Sequence, residues 1–338
     1  MTTPAIKTIL VPIDFSKLSN RAIETAKEIA QLFDATVHLA HVHEFYYPPG
    51  FIAPVPISVI ACRDDAAIQR NRKLKALGKK NGVGAVNCHF LDGAPPFNEI
   101  CKLAGRISAD LIVMPTHGYT GMTRIFPGST AERIVQHSPC PVLVIRAAKK
   151  GDRSSREMKT KGINSILVPV DFSPSSFRAF EYALKFAERV AARVIALHIV
   201  QLGEPFTADG YAMYDLSRLI EAARKSAEAR MQQFLRLAKI RRVNVNSGIH
   251  VGLPASGICD FAKELEVDLI ITATHGLTGL KHLLMGSVAE RVVRHADRPV
   301  LVVPSHPELR VDSSTPERHS STERADRRPE TLHAARGS

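Results

Sequence analysis

The chain contains the same pattern twice. Residues 8–16 read TILVPIDFS and residues 165–173 read SILVPVDFS; residues 109–121 read ADLIVMPTHGYTG and residues 267–279 read VDLIITATHGLTG. The run from Gly128 to Val135, GSTAERIV, returns from Gly286 to Val293 as GSVAERVV, and CPVLVI at 140–145 returns as RPVLVV at 298–303. The offset is 157 at the first block and 158 at the later ones. Solenoid units repeat every ~20–50 residues, so a period this long means two domains of one fold. A length of 338 residues agrees with that, at roughly 150 residues per domain. The copies divide the chain into a first domain (1–146), a linker (147–162), a second domain (163–304) and a tail (305–338).

The linker AAKKGDRSSREMKTKG holds six basic and two acidic residues, and so supplies +4 of the formal net charge of +12. The tail has six residues of each sign and almost no large apolar side chain, which predicts disorder, because it has too little apolar surface to offset its ordering entropy. With the charge concentrated in a short linker and no basic stripe interleaved with aromatics, nucleic acid is not an expected partner. The longest charge-free stretch, Phe45–Cys62, carries four prolines in eighteen residues and does not read as a membrane span. It follows the second strand at the rim of the expected crevice, a place for a lid, for a protein contact, or simply for packing over the sheet edge. The five cysteines form no CxxC pair, and the N-terminus lacks the pattern of a signal peptide, so the expected compartment is the cytoplasm.

Within each copy, short aliphatic runs alternate with amphipathic stretches, the mark of βαβ units and a parallel sheet. Expected strands are Thr8–Ile13, Thr36–Val42, Val86–Phe90, Leu111–Met114 and Val142–Ile145, and in the second copy Ile166–Val170, Arg193–Ile199, Val243–Ile249, Leu269–Thr272 and Val300–Val303. Right-handed crossovers then predict an α/β fold with two doubly wound parallel five-stranded sheets in tandem. The closing strands are expected to pair the two domains, since an unpaired aliphatic edge is a liability. Ser16 and Ser173 stand where helix N-caps belong.

In doubly wound sheets ligands bind at the carboxyl ends of the strands, where strand order reverses. Asp14 and Asp171 end their first strands, and a Thr-His-Gly segment follows each fourth strand. Each aspartate has two readings: accepting hydrogen bonds from a ligand, or turning the chain into the next helix. Gly128-Ser129 and Gly286-Ser287 precede amphipathic runs, so glycine, hydroxyl and helix start together make an anion site. Two copies of that set, each joined to a strand-end aspartate, favour phosphate binding. His41 and His43 share one strand face without a third metal ligand nearby in sequence, and read as packed, hydrogen-bonded histidines. His117 and His275 stand beside the loop glycines with no accompanying triad or paired carboxylates, so catalysis is not expected.

These motifs together resemble the universal stress protein family in its tandem form: VPIDFS and VPVDFS, His41-Val42 and His198-Ile199, the two THG loops, and the closing PVLVI and PVLVV strands. The resemblance implies an adenine nucleotide alpha-hydrolase-like fold and binding of ATP or AMP, with or without Mg. It also implies a role in stress response, with at most weak ATP hydrolysis, and pairing of domains or of chains. Ligand-binding members carry Gly-x2-Gly-x9-Gly-Ser/Thr. By resemblance, Pro12, Asp14, Val42, Met114, Gly118, Gly128, Ser129 and Thr130 would surround nucleotide in the first domain. Pro169, Asp171, Ile199, Thr272, Gly276, Gly286, Ser287 and Val288 would do so in the second. The first glycine of the pattern is Pro115 in one copy and Ala273 in the other, which ranks the second crevice as the better binder. The alternative is a scaffold with vestigial crevices that acts through an unknown protein partner.

Overall fold

The computed structural model describes residues 6–44, 57–116, 129–146, 162–201, 216–238, 242–276 and 285–305. The linker from 147 to 161, the tail from 306, and residues 45–56 lie outside them.

In the first domain the strands are β1 (Thr8–Pro12), β2 (Thr36–His43), β3 (Cys88–Asp92), β4 (Leu111–Pro115) and β5 (Val142–Ile145). The helices are α1 (Lys17–Phe33), α2 (Ile57–Lys80), α3 (Pro96–Arg106) and α4 (Ser129–His137). The second domain repeats this order with β6 (Ser165–Pro169), α5 (Pro174–Val190), β7 (Arg193–Val200), α6 (Leu216–Leu237), β8 (Val245–Val251), α7 (Pro254–Glu264), β9 (Leu269–Ala273), α8 (Ser287–His295) and β10 (Val300–Val303). Ile57–Cys62, the last part of the charge-free stretch, begins α2.

The two expected five-stranded sheets are joined edge to edge into one sheet of ten, in the order β3-β2-β1-β4-β5-β10-β9-β6-β7-β8. Within each domain the described pairings are parallel; the join between β5 and β10 is antiparallel, with Leu143 opposite Leu301. Those two leucines are equivalents at the repeat offset of 158, so a local two-fold axis passes between them, as it does at a symmetric homodimer interface. Side chains across the domain boundary reinforce the join. The Phe33 and Phe186 rings lie 5.5 Å apart, and Arg189 Nε donates to the Leu32 carbonyl at 2.8 Å. Arg146 donates to the carbonyls of Val293 and Arg294 at the last turn of α8, where a cation also meets the negative end of the helix dipole.

Period-two alternation sends each strand's side chains to two separate cores. Ile9 and Val11 pack with α1, α2, α5 and α6 residues such as Ile23, Leu74, Phe180 and Phe234; Leu10 packs with α3, α4, α7 and α8 residues such as Ile100, Ile134, Ile258 and Val292. Both faces of the central strands β4, β5 and β10 are therefore covered, which is why those strands are almost wholly apolar. β3 and β8 form the outer edges and are only partly buried, and their sequences are more polar. The strand expected from Val86 begins at Cys88, because Ala85–Asn87 forms a 3-10 turn with Val86 exposed. The expected strand from Val243 is likewise shifted, to Val245–Val251.

Ser16 and Ser173 cap α1 and α5 as expected, accepting from the backbone N–H of Ser19 and Ser176 at 3.2 and 3.1 Å. Asp110 and Asp268, shared by both repeats, serve structure at the opposite end of the sheet. Each holds two successive backbone N–H groups leading into β1 or β6 at 2.8–3.0 Å.

Candidate functional site

In the second domain, a cavity of about 520 Å³ opens at the carboxyl ends of β6, β7 and β9. All eight residues named for this domain from the sequence line it: Pro169, Asp171, Ile199, Thr272, Gly276, Gly286, Ser287 and Val288. They are brought together because β6 and β9 are adjacent strands and α8 starts directly above β9. The size falls in the range of small-molecule sites.

Asp171 makes the turn foreseen for it and also lines the cavity. Its Oδ1 accepts from the Ser173 N–H at 3.0 Å, turning the chain into α5. Its Oδ2 lies against the α-carbon of Gly276, in space that a β-carbon there would occupy. Gly276 is thus required by the close approach of a carboxylate rather than by an unusual backbone angle. At the far side, Gly286 N donates to the Thr274 carbonyl at 2.7 Å, folding the loop back onto the strand end. Gly286 is also the N-cap of α8 and supplies no side chain to it, so the first-turn N–H groups of this helix have no side-chain cap. The cavity thus runs from a carboxylate at one end to a positive helix terminus at the other.

Three features of the site were not named from the sequence. Arg230 on α6 lines the cavity and stacks over the Phe172 ring at 4.4 Å. Its influence, with burial as the larger cause, keeps the pKa of His198 low; burial and Arg70 act in the same way on His41. In the first domain Lys73, at the same offset of 157, stands over the Phe15 ring at 4.6 Å, so the repeat feature is a cation over this ring rather than an arginine. The last two are Ser305 and Arg178. Ser305, assigned to the tail above, belongs to the fold: it is buried, its N–H donates to Thr274 Oγ1 at 3.0 Å, and its carbonyl accepts from Arg178 at 2.6 Å. Its hydroxyl lies 2.9 Å from Thr274 Oγ1 and 3.3 Å from His275 Nδ1, so the first residue after β10 braces the crevice loop.

In the first domain, Pro12, Asp14, Val42 and Met114 occupy the matching ends of β1, β2 and β4, and Ser129 and Thr130 open α4. Gly118 and Gly128, with His117, lie outside the described residues. Asp14 again splits its oxygens. Oδ1 accepts from the Ser16 N–H at 2.9 Å and from the Ser19 hydroxyl, whereas Oδ2 is buried without a partner among the described residues. His41 donates from Nδ1 to the Ile13 carbonyl at 2.7 Å, as His198 does to Val170 at 2.6 Å. His43 pairs with Asp92 at 3.3 Å. Among the described residues no three metal-ligating side chains gather.

His38, His41, His89 and His198 all have pKa values below the ordinary 6.5, chiefly through burial. His38 Nδ1 and His89 Nε2 are 2.9 Å apart, a bond that needs one nitrogen unprotonated. The unfolded chain therefore binds more protons just below pH 6.5, and stability is full above that value and lost as pH falls toward the folded-state pKa values. The melting temperature at about pH 5 is expected to lie several degrees below that at about pH 7.5; a flat profile would refute this.

Fold and site define a tandem, doubly wound α/β protein with a ligand-sized crevice at its strand ends. The family signature described as "Universal stress protein family" matches residues 5–146 and 162–304, and the chain belongs to that family. A universal stress protein of Mycolicibacterium smegmatis is 27% identical over 304 residues, covering 87% of this chain and 96% of its own. The crystal structure of a universal stress protein from Archaeoglobus fulgidus covers 89% of this chain and 97% of its own, at 20% identity and a TM-score of 0.58, and shows the fold. Another solved family member, determined in complex with cAMP, covers 43% of this chain and 98% of its own at 24% identity and a TM-score of 0.30. No helix among the described residues is long and apolar enough to cross a membrane.

Proposed function

We propose that the second domain binds an adenine nucleotide, ATP or AMP, and that occupancy of its crevice regulates the protein in a stress response. The observation that carries this reading is the convergence of the eight expected residues on one 520 Å³ cavity, with Asp171 at one end and the uncapped start of α8 at the other. A carboxylate accepts from an amino or hydroxyl group, and helix N–H groups suit a phosphate. The unpartnered Oδ2 of Asp14 supports a weaker version of the same site in the first domain. Asp171 is the one acidic residue among the described lining residues, so the paired acids of a hydrolase are missing from this set and the reading is binding rather than turnover.

Mass spectrometry of small molecules released from the denatured, purified protein tests it. An adenine nucleotide in near-equimolar amount, or one taken up on titration, supports the proposal. Protein that neither carries nor takes up nucleotide would overturn it in favour of an interaction scaffold.

A further inference from the structure

The two copies differ where α3 meets α4 and where α7 meets α8. The offset of 158 pairs Pro96 with Pro254, Cys101 with Cys259, Arg133 with Arg291 and His137 with His295, but it also pairs Phe97 with Ala255. In the first domain the Phe97 ring lies 5.2 Å from the His137 ring and 5.1 Å from the Arg133 guanidinium carbon. A flat side chain thus sits between the two helices against a cation and an imidazole. In the second domain the methyl of Ala255 replaces that ring, and a cavity of about 590 Å³ lies there, lined by Ala255, Cys259, Asp260, Lys263, Arg291 and His295. Gln201, Pro254, Ser287 and Val288 line both this cavity and the crevice, so the two spaces adjoin across the first turns of α7 and α8.

We propose that this slot is a second ring-binding subsite, and that the second domain takes an adenine nucleotide bearing another planar aromatic ring beyond its phosphates, in the class of dinucleoside polyphosphates. The proposal rests on the nucleotide reading of the crevice. Arg291 and His295 are four residues apart on one face of α8, as their equivalents are on α4. Guanidinium and imidazole stack on ring faces, and the ring that meets them in the first copy is absent from the chain in the second. Asp260 and Lys263 put an acceptor and a donor into the lining, which suits a heterocycle with polar edges better than a phenyl group. Burial, with Asp260 adding to it, pushes the Cys259 thiol up to about 11, so this wall is neutral rather than nucleophilic. Ser287 belongs to both spaces, which puts the start of α8 between the two rings, where linking phosphates belong.

The test is calorimetric titration of the full chain with ATP and with diadenosine tetraphosphate. The dinucleotide is expected to bind the second domain about tenfold more tightly than ATP. Ala255→Phe, which restores the ring that the first domain carries in the same place, should abolish that gain while leaving ATP affinity and melting temperature unchanged. Arg291→Ala, which leaves the slot open but removes its stacking cation, should reduce the gain severalfold. Equal affinities for the two ligands in the wild-type chain, or a gain that survives Ala255→Phe, would overturn the subsite and leave the nucleotide reading standing. Binding of neither ligand would overturn both.

Discussion

ATP titrated into the intact chain is expected to fill the second crevice before the first, with affinities about tenfold to a hundredfold apart. Both domains end their fourth strand in the same way: Thr116 N donates to the Ile145 carbonyl at 2.9 Å, and Thr274 N to the Val303 carbonyl at 3.1 Å. The residue before differs. Ala273 keeps its N–H and adds one methyl where ligand-binding relatives have glycine, whereas Pro115 has no N–H and a fixed φ. One hydrogen bond lost to a charged phosphate costs ~1.5–3 kcal/mol, which sets the expected ratio. Two variants assign the sites. Gly276→Ala should weaken the tighter one, because its methyl would run into Asp171 Oδ2. Pro115→Gly should strengthen the weaker one. The full chain is the right sample, since cutting it would strip β5 and β10 of each other. Equal affinities, or tighter binding by the first domain, would refute the ranking.

The second large effect concerns the centre of the sheet. Leu143 and Leu301 are fully buried, face each other across the antiparallel join, and belong to one core that runs through both domains. Leu143→Ala and Leu301→Ala should each cost about 2–5 kcal/mol, a large part of the ~5–15 kcal/mol that holds a domain together. The double variant should lose less than the sum, because each leucine already lacks its partner when the other is cut. Both halves should melt in a single transition. The chain has no tryptophan, so circular dichroism during urea unfolding is the suitable probe. Additive losses, or two separate transitions, would show that the domains fold independently of the join.

Much of this architecture is local, and local patterns are legible in a linear sequence. The repeat, the aliphatic runs of β1, β4, β6 and β9, the spacing of Ala22, Ile23, Ala26 and Ile29 on α1, and the two serine caps each involve residues within a few positions of one another. Edge strands were less legible. β3 and β8 are covered on fewer sides, so their composition is mixed and their ends were misplaced by two residues.

The eight crevice residues of the second domain rest on the family resemblance; strand order and the handedness of the crossovers say only that a crevice opens at the strand ends. What lay beyond reach depended on side chains meeting across long separations. That Ser305 closes onto Thr274 and Arg230 onto Phe172, that Asp14 gives one oxygen to its own turn and keeps the other back, and that Ala255 leaves a space which Phe97 fills are facts of packing. Two α/β domains, a crevice at the strand ends of each, and the contrast of Pro115 with Ala273 can all be read from the linear chain. The slot beside the second crevice cannot, because a substitution such as Phe97 against Ala255 acquires meaning from the neighbours that folding brings to it.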